Sequence, residues 1–274
     1  MGFILVMKAE IVRSWIVMRR YWFRTLTGMV IGYGMLMVLI AGFMYSRDSV
    51  TEAMDGRFGD PEQATHFVLG FIIGMFAFGI VGMFSQGIQG MATSGVLEQL
   101  CMSPHGLVTN FLARCVTASF ATVISSGIML YLVTLTVGGT LHFDVVAVPL
   151  LLLLTFTNLI GFGFLTGGLT LVFKQVGQVA ILVRMGLFGL AIFAREDLLN
   201  HGWALSLVMH ALPITDAAIC LKLVMIEGQT FADIAGHEAF YGLLANCVVW
   251  MTIGIVCFRY MEDYSRSKGT LGAY

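Results

Sequence analysis

The chain has 274 residues, 58% of them hydrophobic and only 11% charged, with 15 Lys and Arg against 16 Asp and Glu. Soluble domains carry roughly 25% charged residues, so this composition, with its mean hydropathy of +0.88, excludes an ordinary water-soluble globule. A net charge of −1 also excludes nucleic-acid binding through a generally basic surface.

Residues 1–24 place Phe3, Met7, Ile11, Trp15, Met18 and Trp22 at spacings of three and four, with Lys8, Arg13, Arg20 and Arg24 mostly off that stripe. This predicts an amphipathic helix lying in the cytoplasmic interface of a membrane. It is not read as a signal peptide, because basic residues follow a short apolar start and no small-residue cleavage site appears.

A bilayer core needs about 20 apolar residues of helix to cross it. Runs free of Asp, Glu, Lys and Arg predict spans within Thr25–Ser46, Gln63–Leu97, Cys115–Phe143, Val145–Phe173 and Ala239–Phe258. A sixth, Gln175–Ala194, carries Arg184 near its middle. The expected fold is therefore all-α and polytopic, with six transmembrane helices forming a single transmembrane domain over residues 1–274.

Between the first two spans, residues 47–65 carry Asp48, Glu52, Asp55, Asp60 and Glu62 among Gly and Pro, which reads as a solvated outer loop. The pairs Gly28/Gly32, Gly70/Gly74 and Gly163/Gly167 are small-xxx-small notches for helix packing. Gly161 and Gly163 lack the preceding strand that a dinucleotide fingerprint requires, so packing is their expected use as well.

The connection between the second and third spans, residues 91–109, predicts a short cytoplasmic helix. Ser94 is its candidate cap, Val96, Leu97 and Leu100 form an apolar face, and Pro104 and Gly106 end it. One acid, Glu98, beside an apolar face suits the docking of a soluble partner.

Residues 195–238 are apolar only in pieces. His201, His210, Pro213, Asp216 and Lys222 divide Leu198–Ile226 into two halves, neither long enough to cross. A re-entrant helical hairpin packed against protein on the outer side is the expected form.

Six spans with both termini cytoplasmic put Lys8, Arg13, Arg19, Arg20, Arg24, Arg114, Lys174, Arg259, Arg266 and Lys268 inside. Only Arg47, Arg57, Arg195 and Lys222 then lie outside. That asymmetry is the one expected of an inner-membrane protein.

No GxxxxGK[ST] loop, HExxH or GxSxG occurs, and the five Cys have no metal-ligand spacing. No catalytic residue, metal or cofactor is therefore assigned. A charge at the position of Arg184 costs about 2.5–3.5 kcal/mol on insertion scales, so it must face protein or a wet cavity. A path for anionic cargo and a structural brace are both open for it. Asn158 has the same two readings, a helix-to-helix hydrogen bond being favoured. Two rivals remain: a stand-alone secondary transporter or channel, and an intramembrane enzyme built on His201, His210, Asp216 and His237.

Gly95-Val96-Leu97-Glu98-Gln99-Leu100, followed by Ser103-Pro104, resembles the G-x-LEQL-x-x-SP stretch of type-2 ABC export permeases. Two weaker stretches agree with it in order: Phe173 to Gln178, and Leu212-Pro213-Ile214-Thr215-Asp216 with Lys222, the latter similar to the family's NPLTYxxDxLR. Leu212 stands where the family has Asn, and Ala194-Arg195-Glu196-Asp197 replaces an apolar, Pro-containing end of the fifth span.

The resemblance implies an ATP-driven exporter of amphipathic cargo such as drugs, lipids or lipid-linked glycans. Two permeases, identical or homologous, would work with two separate ABC ATPase subunits that bind ATP and Mg. Gly95 to Leu100 and Pro104 would form the coupling helix against the ATPase, and Met1–Arg24 the interface helix beside it.

Overall fold

The computed structural model describes residues 2–45, 61–102, 106–137, 141–173, 177–194 and 203–268. It is helical throughout: α1 (Gly2–Arg20), α2 (Trp22–Tyr45), α3 (Pro61–Thr93), α4 (Val96–Cys101), α5 (Gly106–Val137), α6 (Ala147–Val172), α7 (Gly177–Phe193), α8 (Trp203–Ala211), α9 (Thr215–Met225), α10 (Phe231–Ala235) and α11 (Glu238–Ser267). Among the described residues α3, α5, α6 and α11 are long and apolar enough to cross a membrane, and α7 is a shorter apolar helix. At 1.5 Å per residue, the 17 residues of α7 reach about 25 Å.

Several boundaries differ from the charge-free runs, because a helix does not stop at its first charge. α5 begins at Gly106 and takes in Arg114, ahead of the expected start at Cys115. α11 continues past Phe258 to Ser267, where Glu262 and Arg266 pair one turn apart at 2.5 Å. In place of helix running to Phe143, residues 141–144 form a non-helical link. There Asp144 Oδ1 accepts the amides of Val146 (2.7 Å) and Ala147 (3.1 Å), opening α6. Those two bonds hold its carboxyl below the usual carboxylate range.

α1 follows the predicted helix, yet of the apolar stripe only Met7 is tucked in. Val6, Met7, Glu10 and Ser14 are half-buried, whereas Trp15 and Trp22 stay exposed at 63% and 61%. The tucked side packs on α5. The chain bends at Tyr21 but keeps its helical bonding there, from Tyr21 N to Val17 O and from Thr25 N to Tyr21 O.

The core is a glycine-notched assembly of α3, α6, α7 and α11. A Cβ on Gly70 or Gly74 would stand 2.8 Å from backbone or ring atoms of α7. Gly163 and Gly167 receive Phe84 and Ile88 of α3. The tightest approach is between α6 and α11, where Gly254 lies on the Gly161 carbonyl and Gly161 on the backbone at Trp250–Met251. The pair Gly28/Gly32 is a correction: Gly28 has nothing within 4 Å, and Gly32 meets only the end of the Met129 side chain. α2 is a peripheral helix along its described length, so its small residues face no neighbouring backbone.

Candidate functional site

At one end of the bundle the chain reverses from α3 to α4. Gly95 makes the reversal with φ +70°, a left-handed conformation that glycine adopts without steric penalty. Ser94 does not cap α4 as expected. Its hydroxyl donates back to the carbonyls of Gly90 (2.8 Å) and Met91 (3.2 Å), closing α3 instead.

α4 is a single six-residue helix. Leu97 is fully buried, and Leu100 packs partly buried on the core. Val96 is 40% exposed and Gln99 is exposed, so the expected apolar face is divided. Leu97 and Leu100 anchor the helix, while Val96, at its first position, points clear of the core. Glu98 lies on α4, but its side chain is outside the described residues, as are Ser103 and Pro104. Asp48, Glu52, Asp55 and Asp60, Lys174 to Val176, Arg195 to Asp197 and His201 also lie outside them, whereas the backbone of Glu62 falls in the first turn of α3 and not in the expected loop.

At the other end, α8 and α9 are the two short helices expected from the divided apolar stretch, broken at Leu212–Ile214. Every residue of α9 is buried, and its two charged side chains are held in detail, although the Thr215 hydroxyl has no hydrogen-bond partner among the described residues. Lys222 Nζ donates to the carbonyls of Ala191 (3.0 Å), Ile192 (3.0 Å) and Ala194 (2.8 Å). A cation there satisfies the orphan carbonyls that end α7 and complements its dipole.

Asp216 meets His210 Nδ1 at 2.8 Å. Asn246 of α11 donates to the His210 carbonyl and, at 3.3 Å, to Asp216 Oδ2. Trp250 Nε1 donates to the Ala211 carbonyl at 3.1 Å. Burial pushes the Asp216 carboxyl up to about 6, with His210 opposing that rise.

Asn158 is buried in α6, and its Nδ2 donates to the Pro213 carbonyl at 2.7 Å, joining α6 to the α8–α9 break. Arg184 is 3% exposed. Its Nε donates to the Phe78 carbonyl at 2.9 Å, and its guanidinium lies 3.7 Å over the Phe78 ring and against Gly82. Gly82 leaves the room: a Cβ there would collide with the guanidinium. The two residues are far from α4 in the chain and are not brought to it.

Lys222 as a helix cap, and Asn246 and Trp250 as ties to the α8–α9 break, are not deducible from the sequence pattern. Only the dipole rule hints at a cation for the end of α7. His237 begins α11, its Nδ1 accepting the Ala239 amide at 3.2 Å. Among the described residues no group of three or more His, Cys, Asp or Glu is placed to hold a metal ion.

A family model described as ABC-2 type transporter matches residues 6–226. No curated protein and no solved structure matches the chain.

Proposed function

Because the chain belongs to the ABC-2 type transporter family, whose membrane subunits have no ATPase activity of their own, we propose that it is the permease half of an ATP-driven exporter. In this reading its cargo is amphipathic, a drug, lipid or lipid-linked glycan, because a path between apolar helices suits molecules that already partition into lipid. Two permeases and two ATPase subunits form the working particle. Six helices cross the inner membrane with both termini in the cytoplasm, and α1 lies in the inner interface.

Energy enters through α4. The observation that supports this is the division of that helix into a buried anchor, Leu97, and projecting positions, Val96 and Gln99. Such a helix is seated in the permease while offering a face to a soluble subunit. Closure of two ATPases on ATP would press two such helices inward and bias the bundle between two packings. Asn158 and Arg184 are both turned into protein, so in this mechanism they meet cargo only when the helices part.

The test is co-purification of this chain with an ABC ATPase subunit from native membranes. Val96→Asp, or Glu98→Arg, should lower capture of that subunit about thirtyfold or more, in the range of a hot-spot loss, with membrane insertion unchanged. Wild-type capture by both variants would remove α4 from the interface.

A further inference from the structure

One contact joins α4 to a helix that lies beyond residue 226, where the family match ends. Glu262, in the last turns of α11, is 7% exposed, and a buried carboxylate is stable only with a partner. Arg266 provides it at 2.5 Å, one helical turn on. The same guanidinium donates through Nη2 to the carbonyl of Cys101, the last residue of α4, at 3.2 Å and 165 positions away in the chain. The final carbonyls of a helix have no partner within it, so Arg266 serves α4 as a cap supplied from a distant helix.

The same turns of α11 are tied elsewhere. Ser265 is fully buried and its hydroxyl donates to the Leu171 carbonyl at 3.3 Å, at the end of α6. The Phe258 ring packs on Phe164 of α6 and Phe111 of α5, with centroids 5.3 and 6.3 Å away. Further along, Gly161 and Gly254 bring α6 and α11 into backbone contact, making this pair the most extensive helix contact of the bundle.

An isolated helix of six residues is unstable, so α4 stands where its neighbours hold it. Besides the cap, it is held by the packing of Leu97 and Leu100 and by the Gly95 turn.

We propose that Arg266 is a positioning residue that locks α4 to the end of α11, so that a push on α4 moves the α6–α11 pair as one body. Glu262 aims the guanidinium, and the Cys101 carbonyl accepts from it. The proposal rests on α4 being the helix that meets the ATPase.

Hydrogen–deuterium exchange on the permease–ATPase complex, with and without ATP plus vanadate, tests it at two segments, Val96–Cys101 and Glu262–Ser267. In the wild type both segments should change on trapping. In Arg266→Ala, α4 should still respond while the response of the α11 segment falls about threefold or more. Arg266→Lys should be intermediate, because a point-charge ammonium does not reproduce the guanidinium fork. Capture of the ATPase by both variants should match the wild type.

An α11 response undiminished in Arg266→Ala, or absent in the wild type, overturns the proposal. So does loss of the ATPase from Arg266→Ala, which marks a merely structural residue. Wild-type capture by Val96→Asp is a different failure: it overturns the reading of α4, whatever Arg266 does.

Discussion

α4 and α9 are both short helices that follow a break in the chain, one at each end of the bundle, and they are treated in opposite ways. α9 is buried along its whole length and each of its charged groups is matched: Lys222 to three carbonyls, Asp216 to His210 and Asn246. α4 buries Leu97 and leaves Val96 and Gln99 outside. Buried polar groups must be satisfied within the protein, whereas a surface helix can keep a face free for something else. The α9 end is closed, and the α4 end leaves a face free.

The comparison can be broken first at Lys222. Lys222→Met leaves three carbonyls at the end of α7, two of them in buried contacts, without their donor, and each stranded buried acceptor typically costs about 1–3 kcal/mol. A loss of thermal stability in detergent of that order is expected. A melting temperature equal to that of the wild type would show the cap to be dispensable.

Next is Asn246→Leu, which removes the amide shared by the His210 carbonyl and Asp216. The expected loss is about 2 kcal/mol, the penalty for stranding a buried acceptor. It should appear in the same melting assay, and equal expression and melting would overturn it.

A pH series sharpens the contrast. α9 lies outside the four helices long enough to span, and burial holds its Asp216 near 6. Between about pH 4, the ordinary range of a carboxyl, and pH 6 the folded chain therefore keeps a proton that the unfolded chain has released. Stability should fall as pH rises through that window and level off above it. Asp216→Asn should remove that part of the slope, read as the difference in melting temperature between the two proteins at pH 5 and at pH 7.5. Parallel profiles would count against the assignment.

The smallest expected effect on stability is at α4 itself. Val96→Asp should change melting by no more than about 0.5 kcal/mol, as an exposed substitution does, while capture of the ATPase fails. Destabilisation comparable to that at Asn246 would make α4 another closed end.

Much of this was legible in the chain. The all-helical membrane class followed from charge-free runs, and the break at Leu212–Ile214 from a proline among interrupted apolar halves. Gly70/Gly74 and Gly163/Gly167 signalled close packing and are found in it. Gly28/Gly32 carried the same signal and faces no helix backbone, because a small-xxx-small spacing states that a helix can be approached, not that another helix arrives.

Likewise the amphipathic pattern of α1 located the helix, but its apolar stripe is exposed apart from Met7 and a half-polar side is tucked in. In lipid, an apolar side chain gains little by choosing protein over acyl chains. Hydrophobicity therefore does not rank the faces of a membrane helix as it does in water.

The sequence by itself determined that this chain lives in a bilayer, where its helices run, and which family it belongs to, because hydropathy, breaks and motif order are local properties of the chain. Only the tertiary structure decided that Gly161 meets Gly254, that Lys222 closes α7, that Arg184 stacks on Phe78, and that Arg266 caps a helix 165 positions away. Those pairings join groups from distant parts of the chain. A buried polar group must be satisfied by some partner, but its chemistry does not name which one until the helices have packed.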